Sequence, residues 1–410
     1  MIDCSGYSQT HGKVIMISES NYSAYSAKKH ELSEAQAELG DIQVERYCGE
    51  LHVSFGLVGE KHKADIRRTL EYKQRDPEQY GIQREFTDSC LIHTRQKLQE
   101  LKSTAPQLAS GLQTYLLCLQ EWAAGAEISM EEAWYLQNES FGCQTVLVQG
   151  NDDKVFLAHT EEWSVDKEEK EALHIQAEWS EFVDSDQPNA ISRQAFTGYP
   201  FALPGSSFWI ANGVVGAVDS LELRSDPDKL AGIPAGVTAW LCWYWAGQVD
   251  AEVIIKAMGY HAGGYALNQL VNTKDGPRGR VIEFAGDMVV TKWLEPEALT
   301  HLIHTNLVED RELAQQWGAE VSRADKAYYR QLERTHKLIR RKWQERFRGG
   351  KQAPVFSLES LEKELALVPL VERSGWPSID QRTNTARPKG TVTTIAQPFT
   401  NSTFVVSLDS

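Results

Sequence analysis

The sequence lacks the cysteine spacing of a zinc site or a disulfide-rich domain. Its six cysteines stand far apart, with no CxxC pair: Cys4, Cys48, Cys90, Cys118, Cys143 and Cys242. Zinc fingers need closely spaced ligand pairs, and small disulfide scaffolds need many cysteines in a short chain. We therefore expect no metal, no disulfide framework and reduced thiols.

The sequence also lacks an apolar run long enough to cross a membrane and a basic-then-apolar start. These two absences predict a soluble, cytoplasmic protein. Positive charge is scarce as well, because 42 Lys and Arg against 57 Asp and Glu leave a net charge of −15. General binding to nucleic acid or to an anionic membrane is therefore not expected.

What the chain does have is length and apolar content, with 410 residues of which 41% are hydrophobic. That is enough for a large core. The twelve tryptophans fit either a heavy core or an apolar pocket, and Trp240, Trp243 and Trp245 fit both readings.

Helical patterns dominate up to residue 142, and strand patterns begin at residue 143. The predicted helices are 48–75, 86–104, 106–124, 129–136, 237–245, 251–258, 309–347 and 353–367. Ser129-Met130-Glu131-Glu132 has the pattern of a capping box at the start of the helix 129–136. Asn212-Gly213 is predicted to be a turn. The predicted strands are 13–17, 142–148, 154–163, 172–179, 193–197, 206–212, 214–223, 264–272, 280–284, 288–292, 391–396 and 403–408. This order predicts an α+β fold, with a mostly helical part over 1–142 and the main sheets over 143–410.

The stretch from Gly142 to Trp163 is the strongest local signal, because two β-rich runs flank the turn Gly150-Asn151-Asp152-Asp153. Cys143 stands at the start of this hairpin. A thiol nucleophile needs a base, and no papain-like signature supplies one. Cleavage before Cys143 would free an α-amine whose pKa, about 7.7–8.0, suits it to take the thiol proton.

Gly142 suits such a cut, because glycine tolerates a strained backbone and leaves room for the attacking thiol. The alternative is that Cys143 is a small buried hydrophobic residue.

Several segments, taken in order, carry a family resemblance. They are Cys48-Gly49-Glu50-Leu51, Pro106–Gly125 with Ser129–Glu132, Gly142-Cys143 with its hairpin, Asn212-Gly213 through Asp219, Gly232-Ile233-Pro234, Leu267-Asn268, Asp275-Gly276, Ile282-Glu283-Phe284 and His304-Thr305-Asn306. With these segments the chain resembles the N-terminal nucleophile hydrolases. More narrowly, it resembles the family of acyl-coenzyme A:isopenicillin N acyltransferase and carcinine (β-alanyl-dopamine) hydrolase.

The resemblance implies a four-layer αββα sandwich and self-cleavage between Gly142 and Cys143. The products would be an α subunit, 1–142, and a β subunit, 143–410, that stay associated. Cys143 would then act on a linear amide of a small molecule through a thioester. No cofactor is implied, and an acyl-coenzyme A would enter only as the co-substrate of a transferase.

The resemblance also assigns roles. Glu162 stands where the family has an aspartate, with Glu161 as the second choice, and Asn268 would donate to the oxyanion. His159 and Thr160 would support the substrate, unless His159 is a core histidine. Ser322 and Arg323 are the nearest match to a downstream supporting pair.

The lead Ala158-His159-Thr160-Glu161 departs from the family, which has Arg or Gln at the histidine position. This departure keeps a second hypothesis open, a catalytically inactive binding or assembly protein with the same fold. His301 and His304, three residues apart, could suggest a metal, but the sequence offers no third ligand.

Overall fold

The structure is a computed structural model. It describes residues 12–18, 44–137, 142–149, 155–162, 178–184, 191–197, 199, 201–221, 223, 231–295, 301–304, 307–317, 341, 379–380, 385–386 and 402–408. Within these ranges the backbone alone is described at some positions, including Cys143, Thr160, Glu161 and Glu162. Ser322, Arg323 and the elements predicted at 353–367 and 391–396 lie outside the described residues, as does 318–347 apart from residue 341.

Five helices form the N-terminal part: α1 (Leu51–Lys61), α2 (Lys63–Lys73), α3 (Pro77–Thr104), α4 (Pro106–Ala126) and α5 (Met130–Leu136). Helix α3 begins where the side chain of Asp76 accepts a hydrogen bond from the backbone N–H of Gln79. The predicted capping box is confirmed, because Ser129 and Glu132 bond reciprocally at the start of α5. The single helix predicted over 48–75 is wrong, since Cys48 ends a strand and His62 separates α1 from α2.

Helices α1 and α4 approach each other closely because glycines line the contact. A Cβ at Gly59 would overlap the carbonyl oxygen of Trp122, and one at Gly125 would overlap the carbonyl oxygen of Gly56. The two backbones therefore pack with no side chain between them at these points.

The larger sheet has nine strands. They are β2 (Val44–Cys48), β5 (Glu178–Asp184), β6 (Ile191–Thr197), β7 (Phe208–Ala211), β8 (Val214–Ser220), β9 (Ile233–Pro234), β10 (His261–Thr273), β11 (Gly276–Gly286) and β12 (Met288–Trp293). The order is β12-β11-β10-β8-β7-β6-β5-β2, with β9 beside β10. The pairs β2–β5 and β9–β10 are parallel and the rest antiparallel. Asn212 and Gly213 join β7 to β8 with positive φ at both residues, as a two-residue hairpin requires.

The smaller sheet has five antiparallel strands in the order β1-β16-β4-β3-β13. They are β1 (Gly12–Ser18), β16 (Ser402–Leu408), β4 (Val155–Glu162), β3 (Gly142–Gln149) and β13 (His301–His304). The predicted hairpin is confirmed as β3 with β4. Strand β16 lies between β1 and β4, so strands from near both ends of the chain join this sheet. A separate two-stranded pair joins β14 (Ile379–Asp380) and β15 (Thr385–Ala386).

Two apolar clusters define the layers. The first lies between the larger sheet and the helices, including α6 (Ala235–Tyr244) and α7 (Ala251–Met258), and it buries Trp122, Trp134, Trp209, Trp240 and Trp243. The second lies between the sheets, where Leu147 and Leu157 meet Phe208, Val215 and Leu270, and α8 (Arg311–Trp317) adds to it.

The layer order of helices, sheet and sheet confirms the α+β class. Trp240 and Trp243 belong to the first cluster as packed core residues. Among the described helices, none combines the length and apolar character that a membrane crossing needs.

Candidate functional site

The proposed cleavage point lies inside a strand. Gly142 and Cys143 open β3, where they pair with Glu162 and Glu161 of β4, respectively. The predicted acidic residues are therefore the direct cross-strand neighbours of the predicted cleavage site. Thr145 follows Cys143 by two positions, the spacing at which residues of a strand share a face.

Thr145 leads into a polar network between the sheets, centred on the fully buried Asp219 of β8. Thr145 Oγ1 donates to Asp219 Oδ1 at 3.0 Å, so its oxygen accepts from Nδ1 of the buried His159, at 2.8 Å. Asn268 Nδ2, on β10, donates to Asp219 Oδ2 at 2.8 Å. Neutral donors from both sheets thus hold the carboxylate of Asp219.

A cation completes the network. Nδ1 of the buried His304 lies 3.3 Å from Asp219 Oδ2, and its Nε2 lies 2.8 Å from Oε1 of Glu283 on β11. Burial would lower the pKa of His304, but its contacts with the two carboxylates outweigh that effect and raise the pKa to about 10. The imidazole is therefore charged at neutral pH and faces a carboxylate through each nitrogen.

Glu283 is fixed from its other side by two backbone N–H groups. Oε1 accepts from Glu309 N and Oε2 accepts from Asp310 N, at 2.6 and 2.8 Å. Burial opposes its charge, but the hydrogen bond and charge of His304 and these two N–H groups keep the pKa of Glu283 below its ordinary value. Both partners of this ion pair are therefore ionised at neutral pH.

Asn268 is buried, and its amide nitrogen is already engaged. Besides Asp219, Nδ2 lies 3.3 Å from the carbonyl oxygens of Ala217 and Ala266. Its Oδ1 is buried and has no hydrogen-bond partner. In this arrangement the predicted oxyanion donor offers an acceptor oxygen, and its N–H groups point to Asp219 and to backbone carbonyls.

A cavity of about 360 Å³ adjoins the network at the open edge of the sandwich, where β12 and β13 are the outer strands. Glu283 and His304 contribute to its wall together with Val281, Val290, Lys292, His301, Leu302, Ile303, Glu309 and Asp310. The charged network thus borders a space that a small molecule can enter.

The structure brings together only part of the predicted site. Two of the predicted residues, His159 and Asn268, have described side chains, and both join the network. Four others are described by their backbones alone and lie on β3 and β4: Cys143, Thr160, Glu161 and Glu162. Asp219, Glu283 and His304 stand in the segments that carry the family resemblance, but the sequence assigned none of them a role at the site. The available signal was an ionisable residue inside an otherwise apolar strand, as in Val214–Ser220, since such residues are rarely buried without a partner.

The thiols are not all reduced. Cys48 is disulfide-bonded, which corrects the expectation of reduced cysteines throughout. Cys90, Cys118 and Cys242 are free and buried. Burial raises the pKa of the Cys90 thiol to about 11 and those of Cys118 and Cys242 further, so none of the three is a reactive thiolate at neutral pH.

No group of three or more metal-ligating side chains occurs among the described residues. The chain matches no protein-family model, and no curated protein matches its sequence.

Proposed function

We propose that this chain is a self-processing cysteine enzyme of the N-terminal nucleophile type, which hydrolyses or transfers the acyl group of a linear amide in a small molecule. The observation that carries the proposal is the position of Cys143. It opens an interior strand of an α+β sandwich, two residues from a threonine whose hydroxyl binds a buried carboxylate.

The first step is cleavage of the chain. The thiol of Cys143 attacks the carbonyl carbon of Gly142, the C–N bond breaks as the α-nitrogen takes a proton, and a thioester forms. Water hydrolyses this thioester, which releases the carboxylate of Gly142 and returns the thiol. Residue 143 then carries a free α-amine beside its thiol.

The second step is turnover. The α-amine takes the thiol proton, sulfur attacks the substrate amide, and the leaving amine receives that proton. Water or an acceptor amine resolves the acyl thioester. Glu162, with Glu161 as the alternative, would hold the α-amine across the β3–β4 pair, and Asn268 would stabilise the oxyanion once its amide turns from the backbone carbonyls.

The strand order supports continued association of the two products in a four-layer sandwich. The segment before the cut contributes β1 to the smaller sheet and β2 to the larger one. Main-chain hydrogen bonds of both sheets would therefore join the fragments after cleavage.

The test is the intact mass and N-terminal sequence of the purified protein, with a denaturing gel run under reducing conditions because Cys48 is disulfide-bonded. We expect fragments 1–142 and 143–410 from the wild type, and one full-length, inactive chain from Cys143→Ala. The matched control is Cys90→Ala, which removes a buried thiol of α3. This variant should cleave itself as the wild type does. Cleavage between residues 142 and 143 in Cys143→Ala would contradict the mechanism.

One observation favours a second candidate, an inactive binding or assembly protein of the same fold. The amide nitrogen of Asn268 is fully engaged by Asp219 and two carbonyls, which leaves no N–H for an oxyanion in this arrangement. A wild-type chain that stays uncut and shows no thioester with amide substrates would decide for this candidate.

A further inference from the structure

Asp219 lies at the centre of the network and contacts four of its members, Thr145, His159, Asn268 and His304. One oxygen accepts from Thr145 and the other from Asn268, while His304 lies beside the second oxygen. A buried carboxylate is costly unless it is paired and hydrogen-bonded. The contacts that offset this cost also fix the orientation of the two neutral side chains.

His304 is the counter-charge, and Glu283 holds it in place. Glu283 is anchored by the backbone N–H groups of Glu309 and Asp310, which do not titrate. The imidazole is therefore held from a fixed point at the cavity wall and reaches Asp219 with its opposite nitrogen. The positive charge is therefore kept at one place beside Asp219.

We propose that Asp219 is a positioning residue, which sets the orientation of Asn268 and Thr145, and that the His304–Glu283 pair supplies the positive charge that holds Asp219 in place for this task. The proposal rests on the proposed function, since the geometry it maintains serves the reaction at Cys143. It goes further by assigning a role to Asp219, His304 and Glu283.

A pH dependence follows. Titratable and charged groups face His304 from every neighbouring element. Within the network these are Asp219 on β8, Glu283 on β11 and His159 on β4. Around the cavity they are Lys292 on β12, His301 on the strand of His304 itself, and Glu309 and Asp310 ahead of α8. Of these, only Asp219 and Glu283 contact the His304 ring through ion pairs. Removing the charge of Glu283 leaves one carboxylate against the burial penalty, so His304 should lose its proton nearer neutrality.

The experiment compares Glu283→Gln with the wild type by the rate of self-cleavage or amide turnover from pH 6 to 9. At pH 6 we expect the rate of the variant to match that of the wild type within about threefold. Above the new pKa of His304, the rate of the variant should fall roughly tenfold per pH unit, because the imidazole loses one proton. The wild type should show no such decline over this range. Asp219→Asn should lower the rate about a hundredfold at every pH, since the charge that orients Asn268 is gone.

A second measurement is independent of activity. In protein labelled with ¹⁵N at histidine, the ring nitrogens of His304, assigned from their loss in His304→Gln, should stay doubly protonated through pH 9 in the wild type and titrate below pH 9 in Glu283→Gln. The matched control is Glu100→Gln on α3, where the exposed acid pairs with Lys97. It should leave the rate, its pH profile and the His304 signals unchanged.

The outcomes separate the two proposals. An uncut, inactive wild type overturns the proposed function, and with it any catalytic role for Asp219. An active wild type whose pH profile survives Glu283→Gln, or a uniform loss of rate at all pH values in that variant, overturns the positioning proposal alone. A His304 ring that titrates near pH 6.5 in the wild type overturns it as well.

Discussion

Two buried histidines in this molecule show opposite behaviour. His304, between the two sheets, lies against two carboxylates, and these raise its pKa to about 10 although burial opposes the charge. His261, at the start of β10, is equally buried, but its ring packs 4.9 Å from that of Phe284 and its Nδ1 donates to the carbonyl oxygen of Gly286, at 3.0 Å. Burial lowers its pKa to about 4, with a smaller contribution from Lys97, while the Gly286 hydrogen bond only partly opposes this shift.

The difference teaches that burial does not by itself decide the charge of a histidine here. Both rings are removed from water, so both pay a penalty for ionisation. In the space between the sheets, two carboxylates exceed that penalty. On the side of the first apolar cluster, a single carbonyl does not.

The largest expected effect comes from removing the cation. His304→Leu leaves Asp219 and Glu283 buried without a counter-charge, which should cost about 4 kcal/mol of unfolding free energy at pH 7. His261→Leu is the matched control. It removes one hydrogen bond and should cost about 1 kcal/mol. Urea denaturation of both variants measures the difference, and equal losses would contradict the contrast drawn above.

The next effect is the loss of unfolding free energy in the wild type as pH rises above neutrality. The folded-state pKa of His304 lies above the unfolded value of about 6.5, so folding takes up a proton between the two. The stabilisation is complete below pH 6.5 and is lost as pH rises towards 10, by at most about 1.4 kcal/mol per pH unit. Unfolding free energies at pH 7, 8 and 9 measure it. His261→Leu should keep the same slope, and a flat profile in the wild type would count against a charged His304.

His261 should cause a loss of unfolding free energy as pH falls below neutrality. Its folded-state pKa lies below the unfolded value, so the unfolded chain binds the extra proton and stability falls as pH drops from 6.5 towards 4. His261→Leu removes this loss. The variant is less stable than the wild type at pH 7 but should match or exceed it near pH 4.5. Paired urea curves at the two pH values test this, and a constant difference would refute it.

The smallest effect concerns a half-exposed ion pair. Lys256 and Glu252 meet four residues apart on α7, where solvent partly screens their charges. Glu252 also accepts a hydrogen bond from Thr291, which a glutamine can keep. Glu252→Gln should change the unfolding free energy by less than about 0.5 kcal/mol. Thermal melting of Glu252→Gln and His304→Leu under the same conditions would show how far the cost of a lost charge depends on burial.

Local pattern was enough to predict the elements formed by neighbouring residues. The β3–β4 hairpin, the Ser129 capping box and the Asn212-Gly213 turn follow from residue types at short spacing, and all three are confirmed. The break at His62 was missed because the apolar positions on both sides keep nearly the same helical spacing. The α+β class followed from the order of helical and strand patterns.

The network could not be predicted in this way. Thr145, Asp219, Asn268, Glu283 and His304 come from five strands, and they meet only because the two sheets face each other. Pairing between distant strands leaves no periodic trace in the sequence. Asp219, Glu283 and His304 all stand in the segments that carry the family resemblance, but their contacts with one another depend on the fold. The roles assigned to Cys143, Glu161, Glu162 and Asn268 remain predictions.

The seam between β1 and β16 has a practical consequence. Gly12 lies opposite Leu408, so the first and last described strands run side by side. A short linker could therefore join them, and the chain could be reopened at residue 143 as a circular permutant. Once its initiator methionine is removed, such a protein would carry the free amine of Cys143 from synthesis. Its chemistry could then be studied without any prior cut.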